Sequence, residues 1–376
     1  MRFALSKFIV LIIFNLSTRL GIGSGYVWPG HVVLKLFPSI LSFKQLQCRK
    51  GYILISGTNG KTTTAKLITH ILEQSGYKVL NNKTGANLLN GLVTTILLAD
   101  IGSVDYCVLE IDEFTLPRFL EYIDPKAIAL LNLSRDQLDR YGETDIVLDR
   151  WQQSIRKLPP SVRIYADSAE PRFKTLSADM HFFDDSSERL SLTSLKGSFN
   201  AKNINAATKL VQDLGIPLTG ILSSLDSFES AYGRGEQIDF FNKKYHLYLA
   251  KNPASFTHNL DLLEHFSPDN TDVLIILNDN IPDGRDVSWI YDIDPTAIKD
   301  KLAMFNGLYI SGTRCYDMAV RLQYAGCSID MSKVNPLIGE VVRQVLPKSK
   351  AEHVLVLPNY SAMLDFRKLL LGRKIL

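Results

Sequence analysis

Seven consecutive residues, Gly57-Thr58-Asn59-Gly60-Lys61-Thr62-Thr63, put two glycines, one lysine and three threonine hydroxyls into a single short turn. A turn of this kind between a strand and a helix points backbone N–H groups inward at a polyphosphate, and the helix N-terminus adds its partial positive charge. Lys61 would neutralise the β- and γ-phosphates of ATP, and the Thr62 hydroxyl would offer an oxygen to Mg²⁺. Gly57, Thr58, Asn59, Gly60, Lys61, Thr62 and Thr63 are therefore all read as nucleotide contacts. A tight turn with no ligand is the alternative, disfavoured because sequence context and chemistry agree. Ile55 stands where the longer G-x-x-x-x-G-K-[ST] pattern has its first glycine, so the loop is a shortened variant.

A second chemical group lies downstream. Glu110 closes the apolar run Tyr106-Cys107-Val108-Leu109-Glu110, so a strand there would deliver its carboxylate to the C-terminal sheet edge, where α/β proteins place ligands. Facing a phosphate loop, it reads as a metal ligand rather than as a cap for the next helix. Asp112 and Glu113 read as solvated or capping residues.

Elements able to position these groups are legible around them. Short apolar runs at 53–56, 79–81, 106–110 and 127–131 read as strands, and longer amphipathic stretches alternate with them, the pattern of a parallel sheet covered by helices. A helix is predicted from about Thr62 to Ser75, with Leu67, Ile68, Ile71 and Leu72 on one stripe and Gly76 as its stop. A second series of strands is predicted at 245–249, 273–277, 308–310 and 353–356. The join falls near Gly233-Arg234-Gly235-Glu236, a glycine-rich turn. The expected organisation is an N-terminal helical segment (1–45), an ATP-binding domain (46–233) and a C-terminal α/β domain (234–376). A chain of 376 residues comfortably holds two cores.

Composition narrows the function. Lys and Arg total 42 against 39 Asp and Glu, a formal charge of +3, too weak a field to grip nucleic acid, and no nucleic-acid partner is expected. The four cysteines, Cys48, Cys107, Cys315 and Cys327, form no C-x-x-C pair and read as reduced and buried. The apolar run Phe8 to Leu16 is far shorter than the roughly 20 residues of a membrane span. It reads either as a helix packed on the protein or as an interfacial anchor.

The loop resembles that of the Mur ligases and folylpolyglutamate synthetases, which join an ATP-activated carboxylate to an amine. Further stretches resemble one branch, the MurT subunits of lipid II isoglutaminyl synthase. They are Thr84-Gly85-Ala86-Asn87-Leu88, Leu109-Glu110-Ile111-Asp112-Glu113, Arg135-Asp136-Gln137-Leu138-Asp139-Arg140 and Asp283-Gly284-Arg285-Asp286-Val287-Ser288-Trp289. The resemblance implies a Mur-ligase-like central P-loop ATPase domain with a parallel-rich sheet, followed by a smaller Rossmann-like α/β domain. It makes Glu110, with Thr62, a Mg²⁺ ligand. In Gly197-Ser198-Phe199-Asn200-Ala201-Lys202-Asn203 it implies that Asn203 approaches adenine; helix capping by Asn200 or Asn203 stays open beside it. It implies that Arg234 reaches the γ-phosphate from the domain junction, a surface ion pair being the alternative. It matches Lys251 loosely to a lysine facing the acyl phosphate; a solvated strand-end lysine is the alternative.

Two departures stand out. The amino-acid-adding ligases carry a histidine where this chain has Gln137 and a carbamylated lysine further on, whereas Asp145 to Ser154 holds Arg150 but no lysine. Glutamine is a poor metal ligand, so their two-metal site is not expected. MurT proteins commonly insert a four-cysteine zinc ribbon in the central domain; the stretch from about Ser161 to Gly197 has no cysteine, and no zinc is expected.

The implied activity is ATP-dependent amidation of the D-glutamate α-carboxyl of lipid II through an acyl phosphate. No cysteine here sits in a nucleophile-elbow context with a histidine, so ammonia must come from elsewhere. The resemblance names a class I glutamine amidotransferase, GatD, as the heterodimer partner, with Asp286 (second choice Asp283) completing its Cys-His pair. An ordinary turn anchored by Trp289 is the alternative. Rival functions are a stand-alone Mur-like amino-acid ligase and a non-catalytic ATP-binding scaffold. The expected location is the cytoplasm, with the inner membrane face left open.

Overall fold

In a strand, successive side chains point to opposite faces. An apolar run such as Tyr52-Ile53-Leu54-Ile55 can therefore persist only where both faces are covered. A computed structural model describes residues 2–20, 25–82, 85–134, 144–177, 179–193, 195–229, 232–280 and 283–372. In it Tyr52 and Leu54 enter one apolar cluster and Ile53 and Ile55 another, on opposite faces of one sheet.

That sheet comprises six strands among the described residues, ordered β2-β3-β1-β4-β5-β6 and parallel throughout. The strands are β1 (Gly51–Ser56), β2 (Val79–Asn81), β3 (Tyr106–Glu110), β4 (Ala127–Leu130), β5 (Arg163–Asp167) and β6 (His181–Phe183). One face is covered by α1 (Arg2–Arg19), α2 (Val27–Leu36), α4 (Leu89–Leu98), α5 (Thr115–Leu120) and α6 (Thr144–Ile155). On the other lie α3 (Lys61–Gln74), α7 (Ser198–Asp213) and α8 (Leu218–Asp226). The phosphate-loop helix α3 buries Leu67, Ile68, Ile71 and Leu72, the expected stripe.

The second sheet runs β11-β10-β9-β12-β8-β7. Its strands are β7 (Arg234–Phe240), β8 (Lys243–Tyr248), β9 (Thr271–Ile276), β10 (Gly307–Ser311), β11 (Val334–Asn335) and β12 (His353–Pro358). Only β7 pairs antiparallel, through a two-residue turn with φ 46° at Phe241 and 58° at Asn242, the mirror-image turn that suits a tight hairpin. Helices α9 (Pro253–Asp261), α10 (Pro295–Leu302) and α11 (Cys315–Tyr324) cover one face, and α12 (Tyr360–Leu371) the other. The architecture is α/β, with a wholly parallel first sheet and a mostly parallel second one.

The sequence reading names eight of these strands and omits β5, β6, β7 and β11; the remaining differences lie at element ends. The strand predicted at 245–249 begins two residues earlier, and β9 likewise. The edge strands β2 and β11 are only three and two residues long. Cys48, Cys107 and Cys315 are buried and Cys327 is half-buried, all as free thiols. Helix α1 packs on α2 and α4. Among the described residues no helix is long and apolar enough to cross a membrane. Gln137 and its neighbours, residues 135–143, lie outside the described residues.

Candidate functional site

Glycine is required twice in the loop. Gly57 (φ 134°) and Gly60 (φ 88°) adopt backbone conformations that L side chains rarely take. A Cβ at Gly60 would lie 2.3 Å from Asn203 Oδ1, and one at Gly57 2.9 Å from the Asn132 backbone. Asn132, just past β4, braces the loop: its Oδ1 accepts from Asn59 N–H at 2.9 Å, and its Nδ2 donates to the Asn59 carbonyl at 3.0 Å. The Thr58 hydroxyl donates to the Ser134 carbonyl at 3.0 Å.

The side chains expected to meet phosphate and metal come together. The Thr62 hydroxyl donates to Glu110 Oε2 at 2.5 Å. Glu110 is held by Asn82, which accepts from the Glu110 N–H at 3.0 Å and donates to its carbonyl at 2.9 Å. Arg234, at the start of β7, comes from the other sheet to 3.5 Å from Thr62 Oγ1. It is no surface ion pair: burial lowers its pKa, and the charge of Glu110 opposes that shift. Glu110 and Thr62 are hard oxygen donors side by side, the set that suits Mg²⁺. With the glycine cradle that an added Cβ would fill, they fit a metal-bound polyphosphate.

Asp112 and Glu113 divide. Asp112 caps α5, accepting from the N–H groups of Phe114 at 3.1 Å and Thr115 at 3.2 Å. Glu113 is neither solvated nor a cap: it is buried and lies 3.3 Å from Lys61 Nζ. Lys61 also donates to the carbonyls of Gly57 and, at 3.3 Å, Thr58. Trp151 fixes the Glu113 backbone, donating from Nε1 to its carbonyl at 2.8 Å.

Beside the loop a cleft opens between the two sheets, lined by Gly60, Phe199, Asn203, Arg234, Tyr248 and His258 among others. Neither Asn200 nor Asn203 caps α7, since Gly197 is its N-cap. Asn203 is buried, donates to Asn200 Oδ1 at 3.1 Å and accepts from the Thr64 hydroxyl at 3.3 Å. Phe199 stacks on His258 with centroids 5.5 Å apart, an apolar wall beside polar groups.

Three predicted residues sit on the second sheet. Lys251 is half-buried, its N–H donating to the Ser255 hydroxyl at 3.0 Å. Its neighbour Asn252 makes the cross-domain contact: it caps α9 and donates to Asn59 Oδ1 at 3.3 Å. Asp283 accepts from the Ser361 N–H at 2.9 Å, and burial raises its pKa. Asp286 is exposed; the Ser288 N–H, donating at 2.8 Å, lowers its pKa. Trp289 packs against the core beneath. An ordinary turn closed by Asp286 and Ser288 is thus present, with Asp286 on its outer side.

Sequence reasoning missed Asn82, Asn132, Glu113 as the partner of Lys61, and Tyr360. The last opens α12, and its phenol pKa is raised by burial and then by the charges of Glu110 and Asp283. Each of these residues stands at or just after the end of a strand, and that placement was the available signal.

One testable consequence concerns Glu110. Glu110→Ala is expected to weaken binding of Mg²⁺-ATP on the order of tenfold to a hundredfold, as lost metal-site partners do, and that of metal-free ATP much less. Calorimetric titration with and without Mg²⁺ checks this, and equal losses would make Glu110 structural.

Comparison with known proteins agrees with this geometry. Residues 55–176 match the Mur ligase middle domain, and residues 249–363 match the MurT ligase C-terminal family. The chain is 27 % identical to the MurT subunit of lipid II isoglutaminyl synthase from Streptococcus pneumoniae, with 96 % of this chain and 98 % of that one covered. It is 25 % identical to its Staphylococcus aureus counterpart over 89 % and 90 % of the two chains. MurF from Thermotoga maritima, solved with ADP, superposes with TM-score 0.68 at 14 % identity, covering 91 % of this chain and 85 % of that one. MurF from Acinetobacter baumannii gives 0.68 at 15 % identity, covering 91 % and 79 %. These structural likenesses speak for the fold. The chain thus carries a Mur ligase middle domain in its first half and a MurT-type C-terminal domain in its second, and is similar to MurT subunits over nearly its whole length.

Proposed function

We propose that this chain is the ATP-using half of a two-subunit amidating enzyme, and that its acceptor is the D-glutamate α-carboxyl of lipid II. The observation that carries the reading is the convergence of Glu110 and Arg234 on Thr62, next to Lys61 in the phosphate loop, beside a cleft between the two sheets. Thr62 and Glu110 would hold Mg²⁺, which neutralises phosphate charge when bound.

In the first half-reaction a carboxylate oxygen attacks the γ-phosphorus as the bond to ADP breaks, leaving an acyl phosphate. Lys61 and Arg234 bear cationic groups on the transferring phosphoryl group, and such positioned charges supply most of the catalysis in phosphoryl transfer. Loop N–H groups orient the nucleotide, Asn203 faces its base, and Lys251 faces the acyl phosphate. In the second half-reaction ammonia attacks the acyl carbon, phosphate leaves, and a proton is lost. Ammonia is supplied by a class I glutamine amidotransferase bound to the second domain, with Asp286 as the shared carboxylate. Because the acceptor is lipid-linked, the reaction takes place at a membrane surface.

The test gives the purified chain ATP, Mg²⁺ and lipid II with ammonium, with glutamine alone, or with candidate amino acids, and reads the product by mass spectrometry. Amide formed with ammonium, and with glutamine only after the amidotransferase is added, is expected. Incorporation of an amino acid would replace this reading with a stand-alone ligase. Hydrolysis of ATP without product would leave a scaffold.

A further inference from the structure

Helix α1 is oriented against its own composition. It buries Ser6, Val10 and Ser17 and packs Phe3 and Ile9 on the core, while Leu5, Phe8, Leu11, Ile12 and Leu16 face outward. These five and Trp28, at the start of α2, are between 42 and 60 % exposed. A lone exposed leucine needs no explanation, but a helix face of large apolar groups carries a solvation cost unless something covers it. Phe14 of α1 meets Tyr26, the residue just before α2, edge to face with ring centroids 5.1 Å apart.

Charge identifies the covering surface. Residues 1–50 contain seven Lys and Arg and no Asp or Glu, and the first acidic residue of the chain is Glu73. Over the whole chain the excess is only +3, so positive charge is concentrated in this segment. Arg2, Arg19, Lys35 and Lys44 are exposed. A protein partner would favour an apolar patch depleted of lysine. Large apolar groups with basic residues around them instead match a headgroup layer of anionic lipid, into which such a helix sinks its apolar side while lying flat.

We propose that α1 and the start of α2 form a docking face for an anionic phospholipid membrane, with α1 lying in the plane of the interface. This goes beyond the amidation reading and does not depend on it.

The test is flotation of the full chain with vesicles of phosphatidylcholine alone or of phosphatidylcholine with phosphatidylglycerol. Binding to the anionic vesicles, at least tenfold weaker on neutral ones and reduced by high salt, is expected. The double variant Phe8→Glu/Ile12→Glu should lose on the order of tenfold or more of that binding while keeping ATP binding and its melting temperature, because both side chains are exposed. Arg19→Glu/Lys35→Glu should lose the preference for anionic lipid. Wild-type protein that ignores anionic vesicles, or a Phe8→Glu/Ile12→Glu variant that floats as well as wild type, would overturn the proposal. So would a lipid-free dimer that this variant dissociates, which would assign the face to a second copy. A chain that binds vesicles but never amidates would leave the docking standing and sink the amidation reading.

Discussion

Lys61→Ala is expected to reduce ATP-dependent turnover on the order of a thousandfold or more. Each well-placed charge or donor aimed at the developing transition-state charge is worth about 3–4 kcal/mol, and Lys61 is the cation of the loop itself. The variant also disturbs the resting protein. Lys61 is only 8 % exposed and pairs with buried Glu113, and removing one member of a buried pair costs about 3–5 kcal/mol. That is a sizeable part of a typical stability of about 5–15 kcal/mol, so lost turnover alone would be ambiguous. The double variant Lys61→Ala/Glu113→Gln separates the effects: neutralising Glu113 should recover much of the melting temperature and none of the turnover. Recovery of both would remove Lys61 from phosphoryl transfer and leave it a structural counter-ion.

Asp286→Asn tests the second sheet. Asparagine keeps the shape and still accepts from the Ser288 N–H, so the turn should hold. Only the charge is lost. A carboxylate that fixes the tautomer of a histidine base and stabilises its cation is worth on the order of 10³–10⁴ in rate where this has been tested. Glutamine-dependent amidation is therefore expected to fall by about that factor, while the ammonium-dependent reaction and ATP binding stay within about twofold of wild type. Steady-state rates with the two nitrogen sources, measured in parallel, check it. If both reactions fall together, Asp286 serves the fold or the synthetase site. Asp283 offers a contrast, because it pins the N–H of Ser361 at the head of α12. Asp283→Asn should lower thermal stability and affect both nitrogen sources alike.

Much of this was readable beforehand because local rules governed it. The glycines at 57 and 60 demanded a special backbone, and the strand ending in Glu110 had to deliver a carboxylate to the sheet edge. Arg234 was readable as a junction residue because glycines flank it. What escaped were pairings that only the assembled fold creates. Glu113 sits three residues past the end of β3, and nothing local says that its carboxylate folds back onto Lys61 rather than into water. Asn132 and Asn82 look like loop asparagines until two strands stand side by side. The two-residue strand β11 lacks the length that would mark it, whereas the three-residue β2 was read at 79–81. Helix α1 is a case of another kind: the sequence left it open between packing on the protein and lying in an interface, and periodicity could not indicate that Ser6, Val10 and Ser17 would be its buried positions.

The two halves meet at the loop through only modest contacts, Asn252 on Asn59 at 3.3 Å and Arg234 on Thr62 at 3.5 Å. Coupling free energies between binding events are reciprocal. If the partner subunit binds the second domain better when it is seated against the loop, the nucleotide must bind better, by the same factor, once the partner is in place. Each would then raise the other's affinity without touching it, and weakening Asn252 or Arg234 would lower that mutual gain more than it lowers either affinity measured alone.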